Sequence, residues 1–288
     1  MSDTKPIVDV AWLASQRPGS VRIVDLRWTL SGKPSGREKY EGGHVPGAVF
    51  VDLDRDLSRP GGPGRHPFPD AEHFAQLLGR IGVGPDTHVV VYDDAGGSVA
   101  ARLWFMLRVH GHERASVLDG GYPAWTQAGL PVTKDEPRIE PVPPPRLRPD
   151  RSRLVDRAHV EGVLASRNDP ARAAALVTDA RAPERYRGET EPVDRVAGHI
   201  PGAVNAPFAA NLREGRFRPP EELRALYERL GATRASEIVA SCGSGVTACH
   251  TLLALELAGI EGGKLYVGSW SEWSSRPDAV VATGADPG

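Results

Sequence analysis

The sequence predicts an α/β protein of two tandem domains, each an open, mostly parallel sheet flanked by helices, and three observations predict it. One pattern occurs twice: Ile23-Val24-Asp25-Leu26-Arg27 and then Gly43-His44-Val45-Pro46-Gly47-Ala48-Val49 in the first half; Val177-Thr178-Asp179-Ala180-Arg181 and then Gly198-His199-Ile200-Pro201-Gly202-Ala203-Val204 in the second. The two aspartates lie 154 residues apart and the two Gly-flanked histidines 155, the near-constant offset of a duplication. Short β-branched runs alternate with amphipathic stretches such as Ala71 to Ile81 and Glu221 to Leu230, an alternation that implies parallel strands joined by crossover helices. A Pro-rich join, Glu136-Pro137-Arg138-Ile139-Glu140-Pro141-Val142-Pro143-Pro144-Pro145, separates the copies and reads as an extended, semi-rigid segment. The expected organisation is a non-catalytic N-terminal domain over 1–136, a linker over 137–150 and a catalytic C-terminal domain over 151–288.

The remaining elements keep the same order in both halves. Leu78-Gly79-Arg80-Ile81-Gly82 is matched by Leu230-Gly231-Ala232, each a helix end closed by glycine. The apolar run Val89-Val90-Val91-Tyr92-Asp93 is matched by Ile238-Val239-Ala240-Ser241-Cys242, and Gly120-Gly121-Tyr122-Pro123-Ala124-Trp125 by Val267-Gly268-Ser269-Trp270-Ser271-Glu272-Trp273. Parallel sheets gather ligand-binding loops at the carboxyl ends of their strands, so Cys242 and Asp93 mark equivalent loops. Only the second holds a nucleophile.

Composition narrows the function. The chain has 288 residues and a formal net charge of −2, with arginines spread along it rather than clustered, which argues against nucleic acid or an anionic membrane as the main partner. The N-terminal residues show no apolar core behind a positive region, and no apolar run is long enough to span a bilayer, so a cytoplasmic protein is expected. Its two cysteines, Cys242 and Cys249, suggest neither a disulfide framework nor a zinc site. Cys249 reads as a small apolar residue on a helix.

The richest stretch for chemistry is strand, small-residue loop, helix: Glu237 to Ser241, Cys242-Gly243-Ser244-Gly245-Val246-Thr247, then Ala248 to Gly259. Gly243 and Gly245 allow consecutive N–H groups to curl toward one point at the positive end of the following helix, where a thiolate is favoured over a thiol. The bland reading is a buried cysteine ending a strand; the two glycines that follow it and a helix start favour the reactive one. Two neighbouring chemistries fail on single residues. A Cys-x5-Arg phosphatase needs arginine where this chain has Ala248, and a Walker-type phosphate loop needs lysine before Thr247, where it has Val246.

Cys-Gly-Ser-Gly-Val-Thr resembles the active-site loop of the tandem-domain rhodanese (sulfurtransferase) family, specifically its 3-mercaptopyruvate sulfurtransferase branch. The thiosulfate-preferring branch typically carries basic residues where this chain has Gly243 and Ser244. The resemblance covers nearly the whole chain. It implies an active site between the domains, with Cys242 carrying a persulfide held by the loop residues Gly243, Gly245, Val246 and Thr247, and with no metal or organic cofactor. Ser244 is implied to work with Asp54 and His66 of the stretch Asp52 to Pro69, which is one residue shorter than the common pattern. Glu184-Arg185-Tyr186-Arg187-Gly188 points to Arg185 as a carboxylate-binding arginine. A second arginine normally follows in a Glu-Pro-rich stretch; here the displaced Arg195 of Val193-Asp194-Arg195 is the candidate. From the residues alone, Ser244 also reads as a turn former, His66 as a solvated loop histidine, and both arginines as surface ion-pair partners. His44, His199, Asp25, Arg27, Asp179 and Arg181 recur in both copies, including the one without cysteine, and read as structural.

The function so implied moves sulfane sulfur from a small anionic donor, 3-mercaptopyruvate or less favourably thiosulfate, to a thiol, thioredoxin or cyanide. The alternative is a persulfide carrier without its own small-molecule donor.

Overall fold

The computed structural model describes residues 4–165, 175–232 and 237–288. The chain divides into two compact units. The first holds the residues up to Arg59, Phe68–Asp150 and Glu214–Phe217; the second holds Pro60–Pro67, Arg151–Arg213 and Arg218–Gly288.

Each unit contains a five-stranded, all-parallel sheet of the same topology. In the first the spatial order is Ile7–Val8, Ala115–Leu118, His88–Tyr92, Val21–Asp25, Val49–Phe50. In the second it is Leu154–Val155, Gly263–Tyr266, Glu237–Ser241, Ala175–Asp179, Val204–Asn205. The central strands are continuous apolar runs because helices cover both faces. Val89, Val90, Val91 and Tyr92 are fully buried, as are Ile238, Val239 and Ala240. The predicted helices form over Ala71–Arg80 and Pro220–Arg229. In the first, Asp70 caps the His73 N–H at 2.8 Å, and in the second two prolines open the helix.

The duplicated motifs build one polar frame twice. Arg27 grips the Asp25 carboxylate through Nε and Nη2 and donates to the Gly43 carbonyl at 2.7 Å; Arg181 does the same with Asp179 and Gly198, also at 2.7 Å. His44 stacks on Tyr40 and His199 on Tyr186, both with ring centroids 3.7 Å apart. These charges are almost wholly buried, so losing one partner would strand the other at a cost of about 3–5 kcal/mol. The frame fixes the loops at the strand ends, which is the structural role read for these residues.

The Pro-rich segment follows the surface of the first unit. The Val142 N–H donates to Gly79 O at 3.0 Å and the Arg148 N–H to His110 O at 3.0 Å. A Cβ on Gly79 would sit 2.7 Å from the Val142 carbonyl, so that approach requires glycine. Among the described residues, no helix is long and apolar enough to cross a membrane.

Candidate active site

Cys242 is the first residue beyond the carboxyl end of the strand Glu237–Ser241, with Ala175–Asp179 on one side and Gly263–Tyr266 on the other. The loop then runs into the helix Ala248–Leu257. Gly245 has φ +75°, and a Cβ there would meet the Val267 carbonyl at 2.4 Å, so conformation and space both demand glycine. Thr247, at the helix N-cap, is itself helical and makes no side-chain cap. Among the described residues the N–H groups of Ser244, Val246 and Thr247 find no protein acceptor. Open donors at a helix start, next to a thiol, are the groups that would meet an anion there.

A second segment pins this loop from behind. The Cys242 N–H donates to Ser269 Oγ at 3.1 Å, and Ser269 Oγ donates to the Tyr266 carbonyl at 2.9 Å. Trp270 N–H returns to the Cys242 carbonyl at 3.0 Å, and Ser271 N–H to Gly243 O at 2.9 Å. Ser269 holds this position at φ +49°, a left-handed conformation that costs a non-glycine residue about 1–2 kcal/mol. Trp270 is buried, its indole N–H on Val196 O at 3.0 Å, and the Arg181 guanidinium lies 4.7 Å from its ring centre.

Ser244 and His66 come together. Ser244 Oγ lies 2.7 Å from His66 Nδ1, and both residues are buried. The segment Pro60–Pro67 that carries His66 belongs with the second compact unit, although it lies in the first half of the sequence. Gly64 makes that placement possible: it has φ +73°, and a Cβ would stand 2.5 Å from the Gly268 carbonyl. Arg65 N–H also donates to Ser271 Oγ at 3.0 Å. Asp54 lies in the first unit, at the helix Leu53–Asp56, where it accepts the Trp28 indole N–H at 2.8 Å.

The structure places the candidate arginines differently from one another. Arg185 does reach the loop: a Cβ on Gly243 would lie 3.7 Å from both its Nη atoms. Its Nε and Nη2, however, are engaged by Glu191 at 3.3 and 2.6 Å. Burial raises the Glu191 carboxyl, but Arg185 and the N–H groups of Asp194 and Val193 outweigh it and hold the group below the ordinary range. Arg195 is exposed and forms no ion pair among the described residues; it borders a cleft with Ser271, Ser274 and Ser275. A further arginine at the loop, not singled out from the sequence, is Arg65. Its Nη2 would lie 3.2 Å from a Gly243 Cβ, and its Nη1 pairs with Asp194 Oδ1 at 2.5 Å. Asp194 Oδ2 lies 3.6 Å from Arg185, so one carboxylate spaces both guanidiniums, and its own burial pushes its carboxyl up against their pull. The only sequence signal for Arg65 was its place beside His66.

The equivalent loop of the first unit is filled differently. Asp93, wholly buried, accepts the N–H groups of Ala95 and Gly97 on one carboxylate oxygen and those of Val99 and Ala100 on the other, at 2.7–2.9 Å. Burial pushes the Asp93 carboxyl up, and the four donors oppose it. Gly96, three residues on, has φ +67°, as Gly245 has +75° three residues after Cys242.

The rhodanese-like domain family matches residues 9–128 and 163–276. A probable 3-mercaptopyruvate sulfurtransferase of Pseudomonas aeruginosa is 46% identical over 91% of this chain and 92% of its own length. A thiosulfate sulfurtransferase of Rattus norvegicus is 39% identical over 97% of this chain and 96% of its own. The crystal structure of SseA from Escherichia coli, described among 3-mercaptopyruvate sulfotransferases, superposes with a TM-score of 0.78 at 35% identity, covering 93% of this chain and all of that one. With both repeats matched and full-length relatives well above 30% identity, the chain belongs to the rhodanese family of sulfurtransferases.

Proposed function

We propose that this sulfurtransferase takes its sulfur from 3-mercaptopyruvate, carries it on Cys242 and passes it to a thiol. A relative named for 3-mercaptopyruvate is 46% identical and one named for thiosulfate 39%, which favours the first donor. The observation that carries the choice is the Ser244–His66 pair at 2.7 Å, two residues from Cys242 on a loop with no basic side chain of its own. Thiosulfate releases sulfite, which leaves without a proton. Mercaptopyruvate releases an enolate, which needs one at carbon, and a hydroxyl–imidazole pair beside the sulfur can move it.

The Cys242 thiolate attacks the donor's sulfur, an S–S bond forms, and the C–S bond breaks with its electrons going to the pyruvate enolate. The proton of the donor's thiol, relayed by Ser244 and His66, ends on the enolate carbon. Pyruvate leaves, and the Cys242 persulfide stays as an anion. Asp54 is assigned to this relay on sequence grounds. The loop around Gly243, Gly245, Val246 and Thr247 holds the persulfide with its N–H groups; the carboxylate held by four such groups at Asp93 supports this reading. Arg185 faces the donor's carboxylate with the Nη1 end that Glu191 leaves open. An acceptor thiolate then attacks the outer sulfur and releases the Cys242 thiolate. We assign thioredoxin or a small thiol to that step, with cyanide as a laboratory acceptor, and the cytoplasm as the compartment.

Steady-state kcat/KM for 3-mercaptopyruvate and thiosulfate, with cyanide as common acceptor, tests the donor. A preference of at least about tenfold for mercaptopyruvate, abolished by Cys242→Ser, is expected. A preference for thiosulfate overturns the donor assignment, and turnover of neither points to a persulfide carrier.

A further inference from the structure

We infer that Arg65, not Arg195, is the second arginine of the donor's carboxylate clamp, an inference that rests on the proposed donor. A guanidinium binds a carboxylate best along an edge, through two parallel N–H groups. Arg185 has spent its Nε–Nη2 edge on Glu191. Arg65 is anchored the other way round: Nη1 holds Asp194, while Nη2 lies against Gly243 and Nε is buried with no acceptor among the described residues. Its Nε–Nη2 edge is therefore the uncommitted fork at the loop. A buried donor without a partner is rare unless something supplies the acceptor, and a carboxylate seated over Gly243 supplies it.

The surroundings hold that fork in place. Arg65 is fixed by its own backbone on Ser271 Oγ, and Ser271 N–H bonds the Gly243 carbonyl, so fork and loop share one anchor. Asp194 spaces Arg65 from Arg185 and offsets part of their mutual repulsion. Gly243 is the complement: a side chain there would crowd Nη2 at 3.2 Å. The cation that another loop would carry at position 243 is delivered here from the segment that also brings His66. Arg195, exposed on the far side of Asp194 in sequence, has none of these contacts.

The test compares wild type, Arg65→Lys, Arg65→Ala and Arg195→Ala by 3-mercaptopyruvate kinetics and by calorimetric titration with pyruvate, the proposed product. Lysine keeps a charge for Asp194 and loses the fork, so Arg65→Lys stays interpretable if the alanine variant fails to fold. Arg65→Lys is expected to raise KM and weaken pyruvate binding about tenfold or more, with kcat within about twofold. Arg195→Ala is expected to leave both within about twofold. A folded Arg65→Lys with wild-type KM and pyruvate affinity overturns the inference, as does a larger loss in Arg195→Ala. If wild type does not turn over mercaptopyruvate but binds pyruvate, the donor assignment falls and the titrations alone decide Arg65. If it does neither, both fall.

Discussion

The loop after His88–Tyr92 and the loop after Glu237–Ser241 are the same device with different contents. Both follow the central region of a parallel sheet, both turn on a glycine of positive φ three residues in, and both have their first carbonyl bonded by a later N–H, Tyr122 on Asp93 and Trp270 on Cys242. In the first, a carboxylate is bonded by four backbone N–H groups. In the second, the matching position is a thiol, and the N–H groups of Ser244, Val246 and Thr247 have no acceptor among the described residues. The first loop is thus a filled reference for the second: it shows a carboxyl group seated on the N–H groups of this backbone turn. On the proposed mechanism, the choice of Asp or Cys at this position decides whether the anion is a fixture or a reagent.

The largest effect expected from this comparison is on Cys242→Asp. It should abolish sulfur transfer while leaving Tm within about 3 °C of wild type, because a carboxylate meets the open donors. Loss of more than about 3 kcal/mol in denaturant unfolding would break the equivalence of the loops. A second change, Asp93→Ala, strands the buried N–H groups of Gly97, Val99 and Ala100 and should cost about 3 kcal/mol or more, read by the same unfolding. A loss below about 1 kcal/mol would mean that the cradle does not need its anion. Ser269→Gly gives the smallest effect. Gly121 stands at the equivalent place in the first unit, also at positive φ, where a Cβ would meet Asp93 O at 2.3 Å. Glycine at 269 relieves the left-handed strain but drops the hydrogen bond to the Cys242 N–H. Stability should change by less than about 1 kcal/mol, while kcat/KM falls roughly three- to tenfold. An unchanged kcat/KM would remove Ser269 from the positioning of Cys242.

Much of the site was legible because it is local in sequence. Cys242, Gly243, Ser244, Gly245, Val246 and Thr247 are one loop, and the periodicity around them fixes a strand before and a helix after. The duplication made the frame of Asp25, Arg27, His44 and their partners readable as structural, since the copy without the thiol keeps them. Arg65 was not legible. Its bonds run to Asp194 and Ser271, 129 and 206 residues away, and no local period encodes such a contact. Arg195 was the candidate because it lies near the expected place in the chain, whereas the Arg65 proposal rests on which guanidinium edge faces Gly243.

By itself, then, the sequence determined the repeated α/β architecture, the place of the candidate nucleophile and the type of loop that carries it. These follow from backbone propensities and glycine positions a few residues apart. Tertiary structure alone decided that Pro60–Pro67 packs with the second unit, that His66 meets Ser244, that Glu191 occupies Arg185's fork, and that Asp93 is clamped by four N–H groups. Each depends on close packing between distant segments, where an ångström of approach, set by a residue such as Gly64, decides which polar groups pair and which stay open for a substrate.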